Sequence, residues 1–178
     1  MDVMIDLETF DNVSTTAIVQ IGAAVFDRTN GKIIDEFKAD VDPQSCIDIG
    51  LTLGIDTIMW WLKQSDEARA SITSTPRGPI REVLTNFNNF ITKNEPDIRK
   101  VTVWCHATFD FPIMQNVYKA AGMEAPWRYS NARDLRTITD LSGAPIYAIR
   151  RKGTYHDALD DCRHQVKQFR MCMKKLNL

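Results

Sequence analysis

The dipeptide Asn30-Gly31 sits between two strand-like runs, Ala17 to Phe26 and Lys32 to Val41, and constrains the fold more than any other stretch of the chain. Both residues tolerate the positive φ that a tight hairpin turn demands, so the flanking runs pair as antiparallel strands. The first run is rich in Val and Ile, and the second alternates with period two as a half-buried strand does. Ahead of them Val3-Met4-Ile5-Asp6-Leu7 reads as a buried strand, followed by the polar turn Asp11-Asn12-Val13-Ser14-Thr15-Thr16. Three strands joined by turns give an antiparallel meander.

From Asp56 the period changes. Ile58, Trp61, Leu62 and Ala68 fall at helical spacing, and Ser74-Thr75-Pro76-Arg77-Gly78-Pro79 breaks the pattern. Ile80, Val83, Leu84, Phe87, Phe90 and Ile91 then predict one amphipathic helix. Val101 to Trp104 is a short strand running through Cys105-His106-Ala107-Thr108 into a helix that carries Phe111, Met114, Val117, Tyr118 and Ala121 and closes at Gly122. A short helix is expected near Asp134 to Leu141, and a terminal helix from about Ala158 carries Val166, Phe169, Met173 and Leu176. Strands followed by alternating helices and strands make an α/β fold with a mixed sheet. No repeat or linker interrupts the pattern, so residues 1–178 are expected to form a single domain.

Composition narrows the functional classes. Hydrophobic residues make up 44% of the 178, enough for a core, and no apolar run approaches the roughly 18 residues of a membrane span. The four cysteines (Cys46, Cys105, Cys162, Cys172) form no CxxC pair, and no signal-like segment opens the chain. A reduced, cytoplasmic protein, of phage or bacterial host, is expected. The net charge of −1 hides a segregation: residues 1–60 carry −8, residues 61–149 carry +2 and residues 150–178 carry +5. A static clamp of duplex nucleic acid usually has a strong basic excess. Acid at one end and base at the other suit a carboxylate site that captures cations beside a basic surface that meets an anion, or two solvated faces of opposite sign.

Asp6 and Glu8 lie at the carboxyl end of the first strand, and period-two alternation puts both carboxylates on one face. Close like charges repel unless a cation sits between them, and Mg²⁺ or Mn²⁺ prefers such hard oxygen ligands. Chance alone supplies about 0.6 Asp-x-Glu matches in a chain of this composition, so position at a strand end is the stronger signal. Asp110 opens a helix just beyond a strand end, where ligands of open α/β sheets gather, and equally fits an acid satisfying helix N-terminal amides. Asp157 and Asp160 have the spacing of a cap and its partner. Asp161 is surplus to capping, and His156 can project from the preceding loop toward whatever Asp161 faces, or be an ordinary half-buried histidine. His106, His156 and His164 lack zinc spacing, and there is no GxSxG, Walker loop or GxGxxG. Of the tandem Trp60-Trp61, one ring can reach the surface, because adjacent helix positions diverge by about 100°.

In order along the chain, Asp6-Leu7-Glu8-Thr9, His106-Ala107-Thr108-Phe109-Asp110 and His156-x-Ala158-x-x-Asp161 resemble the three motifs of the DEDDh family, the histidine-bearing branch of the DnaQ-like nucleases. Ile58-Met59-Trp60-Trp61-Leu62, Gln64-Ser65 with Glu67-Ala68-Arg69, Phe109-Asp110-Phe111-Pro112-Ile113 and Asn131-x-Arg133-Asp134-x-Arg136-Thr137 are similar to a narrower group, the phage exonuclease A type and its exonuclease VIII relatives. Together these cover residue 3 to about residue 170.

The resemblance implies an RNase H-like fold, a mixed five-stranded sheet flanked by helices, and removal of 3′-terminal nucleotides as 5′-monophosphates. By position it implies that Asp6, Glu8, Asp110 and Asp161 hold two Mg²⁺ or Mn²⁺ ions and that His156 is the general base. It also implies that Thr9 and Phe109 contact the terminal nucleotide. His106 stands where many DnaQ-like members have Asn, so its substrate contact is a departure from the pattern. The expected partner is nucleic acid with a free 3′ end, DNA favoured over RNA, in single-stranded or frayed form, with no membrane involved. An exoribonuclease of the same family, an RNase H-like endonuclease that does not need His156, and a non-catalytic nucleic-acid-binding module are the alternatives; oligomeric state is left open.

Overall fold

Strand β1 (Asp2–Thr9) lies in the middle of the sheet and carries the site, so its neighbours determine what the site can hold. The structure is a computed structural model that describes residues 1–73 and 76–178. β2 (Ile18–Phe26) pairs antiparallel with β1 and with β3 (Ile33–Asp40), which completes the expected meander. At the hairpin, Gly31 adopts φ +71° and donates to the Asp27 carbonyl at 2.8 Å. β4 (Thr102–Cys105) and β5 (Ala132–Asp134) add in parallel on the other side, giving the order β3-β2-β1-β4-β5. β5 spans three residues, too short to show a period.

The helices are α1 (Pro43–Ile47), α2 (Ile55–Trp61), α3 (Asp66–Thr73), α4 (Ile80–Asn94), α5 (Asp110–Ala121), α6 (Leu135–Ser142) and α7 (Ala158–Lys175). The spacing of Ile58, Trp61, Leu62 and Ala68 ran across two helices: the break falls after Trp61, Leu62 faces solvent, and the Ser65 hydroxyl accepts from the Ala68 amide to start α3. Within the breaker stretch, Ser74 and Thr75 lie outside the described residues. Beyond them Gly78 bridges to Val41. α1, five residues with Pro43 in its first turn and Asp42 as cap, had no periodic signal.

Alternation along β1 divides the core. Val3, Ile5 and Leu7 point to one face and pack with Val83, Leu84, Phe87 and Ile91 of α4 and Ile113, Met114 and Val117 of α5. Met4 points the other way, to Trp104, Leu135 of α6 and Cys162, Val166 and Phe169 of α7. Asp6 and Glu8 share the Met4 face by the same period of two, so they look toward α6 and α7 where that apolar layer ends.

Gly22 of β2 sets how α7 enters. A Cβ there would overlap the backbone carbonyl of Ala158, so only glycine lets the first turn of α7 lie directly on the strand. Gln20 Oε1 accepts from the Ala158 amide at 2.7 Å, and Lys38 on β3 pairs with Asp157 at 2.5 Å. Asp157 in turn accepts from the Asp160 amide as the helix cap. These contacts to the two antiparallel strands bring Asp161 opposite Glu8. All four cysteines are free and buried, and among the described residues no helix is long and apolar enough to cross a membrane.

Candidate active site

An open cleft of about 800 Å³ lies at the carboxyl ends of β1 and β4, walled by α6, α7 and the loop before α7. Asp6, Glu8, Asp110, Asp161 and His156 all line it, as do His106 and Phe109. Donor atoms of Asp6, His106 and Asp110 lie within 4.8 Å of one another, and so do those of Glu8, His156 and Asp161. Residues 6, 8, 106, 110, 156 and 161, scattered over three motifs, therefore form two adjoining clusters. Thr9 is placed differently: it is buried outside the cleft lining, and its hydroxyl donates to the Asp11 carbonyl at 2.7 Å.

Each carboxylate is held by an identifiable element. Asp6 sits against α7, where Gln165 donates to Oδ1 at 2.6 Å; Gln165 lies one turn beyond Asp161 and so faces the same side. Asp110, the first residue of α5, accepts from the His106 amide at 2.9 Å. Asp110 thus opens α5 as expected and lines the cleft, while one of its oxygens serves the His106 amide of the preceding loop. Asp134 caps α6 through the Thr137 amide and also accepts from the Ala107 amide at 2.9 Å, which ties the β4–α5 loop to α6. Asp161 pairs with Arg151.

Burial outweighs the nearby charges of Arg151 and Arg136 and raises three of these acids. Asp6 is held well above the usual carboxylate range by burial, then by Asp110 and Glu8. Glu8 is pushed up to about 8 by burial, then by Asp110 and Asp157. Asp110 is raised to about 7 by burial. Such a cluster favours the arrival of a cation, and its donors are hard oxygens with one imidazole beside each group, chemistry that fits Mg²⁺ or Mn²⁺. The divalent-metal dependence expected from the sequence is consistent with this set.

His156 occupies a rare backbone conformation, φ +60°, and its carbonyl accepts from the Ser71 hydroxyl at 2.8 Å. Its ring meets Trp60 and Trp61 edge-on, with centroids 4.9 and 5.8 Å away. Trp61 is buried and donates Nε1–H to the Thr9 carbonyl at 2.9 Å, whereas Trp60 is exposed. The tandem tryptophans therefore divide their work: one fixes the end of β1, the other walls the imidazole. Burial, then the Arg151 charge, lowers the His156 pKa, so the ring is neutral and able to accept a proton at neutral pH. His106, beside Asp6 and Asp110, is lowered further, to about 4, by burial and then by Arg136.

Sequence reasoning passed over Arg151, Tyr147 and Gln165, and quoted Arg136 in a motif without giving it a role; all four are in the cleft lining. Gln165 had a usable signal, its spacing from Asp161. Arg151 had none, since it is the middle of Arg150-Arg151-Lys152 in a loop without period.

Comparison with known proteins agrees with this fold. A family model described as the 3'-5' exoribonuclease Rv2179c-like domain matches residues 1–173. A protein of Enterobacteria phage T4 named Exodeoxyribonuclease is 25% identical over 207 aligned positions, covering 97% of this chain and 89% of the relative. Among solved structures, the zinc-bound complex of E. coli exonuclease I with single-stranded DNA superposes with TM-score 0.69 at 12% identity, over 99% of this chain and 41% of that one. The nuclease domain of 3'hExo, a DEDDh family member bound to rAMP, superposes with TM-score 0.64 at 13% identity, over 97% of this chain and 90% of that domain. The chain thus spans about two fifths of exonuclease I and nearly the whole of an isolated DEDDh nuclease domain, and the expected RNase H-like fold with its five-stranded mixed sheet is the fold observed.

Proposed function

The chain belongs to the family of the 3'-5' exoribonuclease Rv2179c-like domain, and we propose that it removes nucleotides one at a time from the 3′ end of single-stranded DNA as 5′-monophosphates. The observation that carries the reading is the convergence of Asp6, Glu8, Asp110, Asp161 and His156 on one cleft. A binding module has no use for four carboxylates facing an anionic ligand, and an endonuclease has no need of His156.

In the proposed mechanism Asp6, Glu8, Asp110 and Asp161 would hold two Mg²⁺ or Mn²⁺ ions. Bound there, the ions would supply positive charge for the attacking water oxygen and the leaving oxygen of the phosphodiester. His156, neutral and fixed edge-on by Trp60 and Trp61, takes the proton of the attacking water. Gln165 keeps Asp6 oriented through its 2.6 Å hydrogen bond. Phe109 offers a ring at the cleft wall for the terminal base, and His106 a donor beside it. Thr9 reaches a nucleotide only if its hydroxyl leaves Asp11, so in this reading it shapes the strand end.

DNA is favoured because the phage relative, matched over nearly its full length, is an exodeoxyribonuclease. RNA is the second reading, favoured by the family description. Linear single strands of both sugars, labelled at the 5′ end and incubated with Mg²⁺, Mn²⁺ or EDTA, separate the two. The expected result is a metal-dependent ladder from the 3′ end, faster on DNA, with circular single-stranded DNA untouched. Nicked circles would establish the endonuclease instead, and a ladder on RNA alone the second reading.

A further inference from the structure

Two arginines line the cleft, and they stand in different relations to the acids. Arg136 acts on Asp110 and His106. Arg151 is paired with Asp161, and its charge bears on Asp6, Glu8 and His156 as well. It is therefore the cation common to both clusters. Its side chain is 15% exposed. The guanidinium lies over the Tyr155 ring, 4.2 Å from the centroid, and one Nη donates to the Thr154 carbonyl at 3.0 Å. Among the described residues its buried Nε–H has no hydrogen-bond partner, a donor left over after these contacts.

Resting on the exonuclease reading above, we propose that Arg151 is an exchangeable counter-ion: it neutralises Asp161 in the metal-free protein and, once metal claims that carboxylate, becomes the ligand of the substrate's phosphate. The charge balance favours a second cation beside Arg136. Four carboxylates against two divalent ions leave no net charge to attract a phosphodiester, and a freed guanidinium restores a positive one. Its planar fork matches two phosphate oxygens, and the unpaired Nε–H is a donor such a contact would use. Tyr155 still offers the guanidinium a stacking surface after a small shift, as long as the head stays over the ring within about 6 Å of its centroid. Arg151 is thus a binding residue for the phosphate and, through Asp161, a competitor of the metal.

The two roles have opposite signs, which a structural role does not reproduce. Mn²⁺ titrated calorimetrically into metal-free wild type, R151A and R151K comes first. The Mn²⁺-saturated proteins are then titrated with the 5′-monophosphates dAMP and AMP and with the parent nucleosides. Removing a competing charge a few ångströms from the ligands should tighten Mn²⁺ binding in R151A by about tenfold. The same variant should lose at least about tenfold of the preference for monophosphate over nucleoside, the scale of one charge-assisted contact. R151A that binds Mn²⁺ as wild type does, or more weakly, or that keeps the full monophosphate preference, overturns the proposal. Should R151A fail to fold, R151K decides. It keeps the charge but loses the fork, so near-wild-type Mn²⁺ affinity with a reduced monophosphate preference supports the proposal and an unreduced preference overturns it. Failure of wild type itself to bind Mn²⁺ would refute the metal site of the exonuclease reading, a result distinct from any difference between the variants.

Discussion

Replacing Glu8 with Gln should stabilise the metal-free protein, and by an amount that depends on pH. Glu8 is buried, and burial with Asp110 and Asp157 nearby raises its pKa from 4.5 to about 8. A carboxylic acid whose folded pKa is raised binds its proton more tightly in the folded chain. Its contribution is therefore fully present below the unfolded value near 4.5 and is lost as pH rises toward 8. Each pH step of one across that window costs the folded state ~1.4 kcal/mol, which reaches roughly 3 kcal/mol by pH 7. Gln keeps the shape and removes the titration, so E8Q should gain about 2–3 kcal/mol at pH 7, or ~5–10 °C in Tm for a chain of this size. Near pH 4.5 it should gain almost nothing. Thermal melts of both proteins in EDTA, from pH 4.5 to 8, read the difference directly. Saturating Mn²⁺ should reverse the order, because the ion stabilises only the site that keeps its carboxylate. A gain that does not grow with pH, or a variant less stable than wild type in EDTA at pH 8, refutes the picture of an acid cluster awaiting a cation.

Two further outcomes follow from the site. His156→Ala should lower turnover by about 10²- to 10⁴-fold with Mn²⁺ affinity nearly unchanged, at a stability cost of about 1 kcal/mol as the ring leaves Trp60 and Trp61. Because burial and Arg151 lower the His156 pKa, the wild-type rate should fall only below about pH 6.5, whereas in H156A that limb disappears. Gly22→Ala should cost roughly 3 kcal/mol by driving a methyl into the Ala158 backbone, and steady-state assays of the folded fraction should show reduced turnover as α7 and Asp161 shift.

What could be read from the residues, and what could not, divides along physical lines. The meander, α4, α5 and α7 were legible because each buries one continuous face, so hydrophobic period and burial coincide. α1 and β5 were not, since three to five residues cannot display a period. α2 and α3 were fused because Leu62 is apolar yet exposed, a local signal that tertiary placement overrode. In the site, Asp6 and Glu8 were legible from alternation at a strand end. Their meeting with Asp110, Asp161 and His156 rested on motif resemblance, because no local rule says that the α7 entry loop folds back over β2; Gly22 and Gln20, which make it do so, look ordinary in the sequence. Arg151 was invisible for the same reason: its partner is ten positions away and in space rather than on a shared face.

The most direct test of the central claim is the rate at which Asp6→Asn removes 3′-terminal nucleotides from linear single-stranded DNA in Mg²⁺, measured beside wild type and beside wild type in EDTA. Asp6 belongs to the cluster most deeply buried among acids, and Asn keeps its size and its contact with Gln165 while removing the negative charge. The account expects turnover to fall by at least about 10³-fold, to the level of the EDTA control, in a protein that melts no lower than wild type without metal. Turnover within a few-fold of wild type in the folded variant would contradict it.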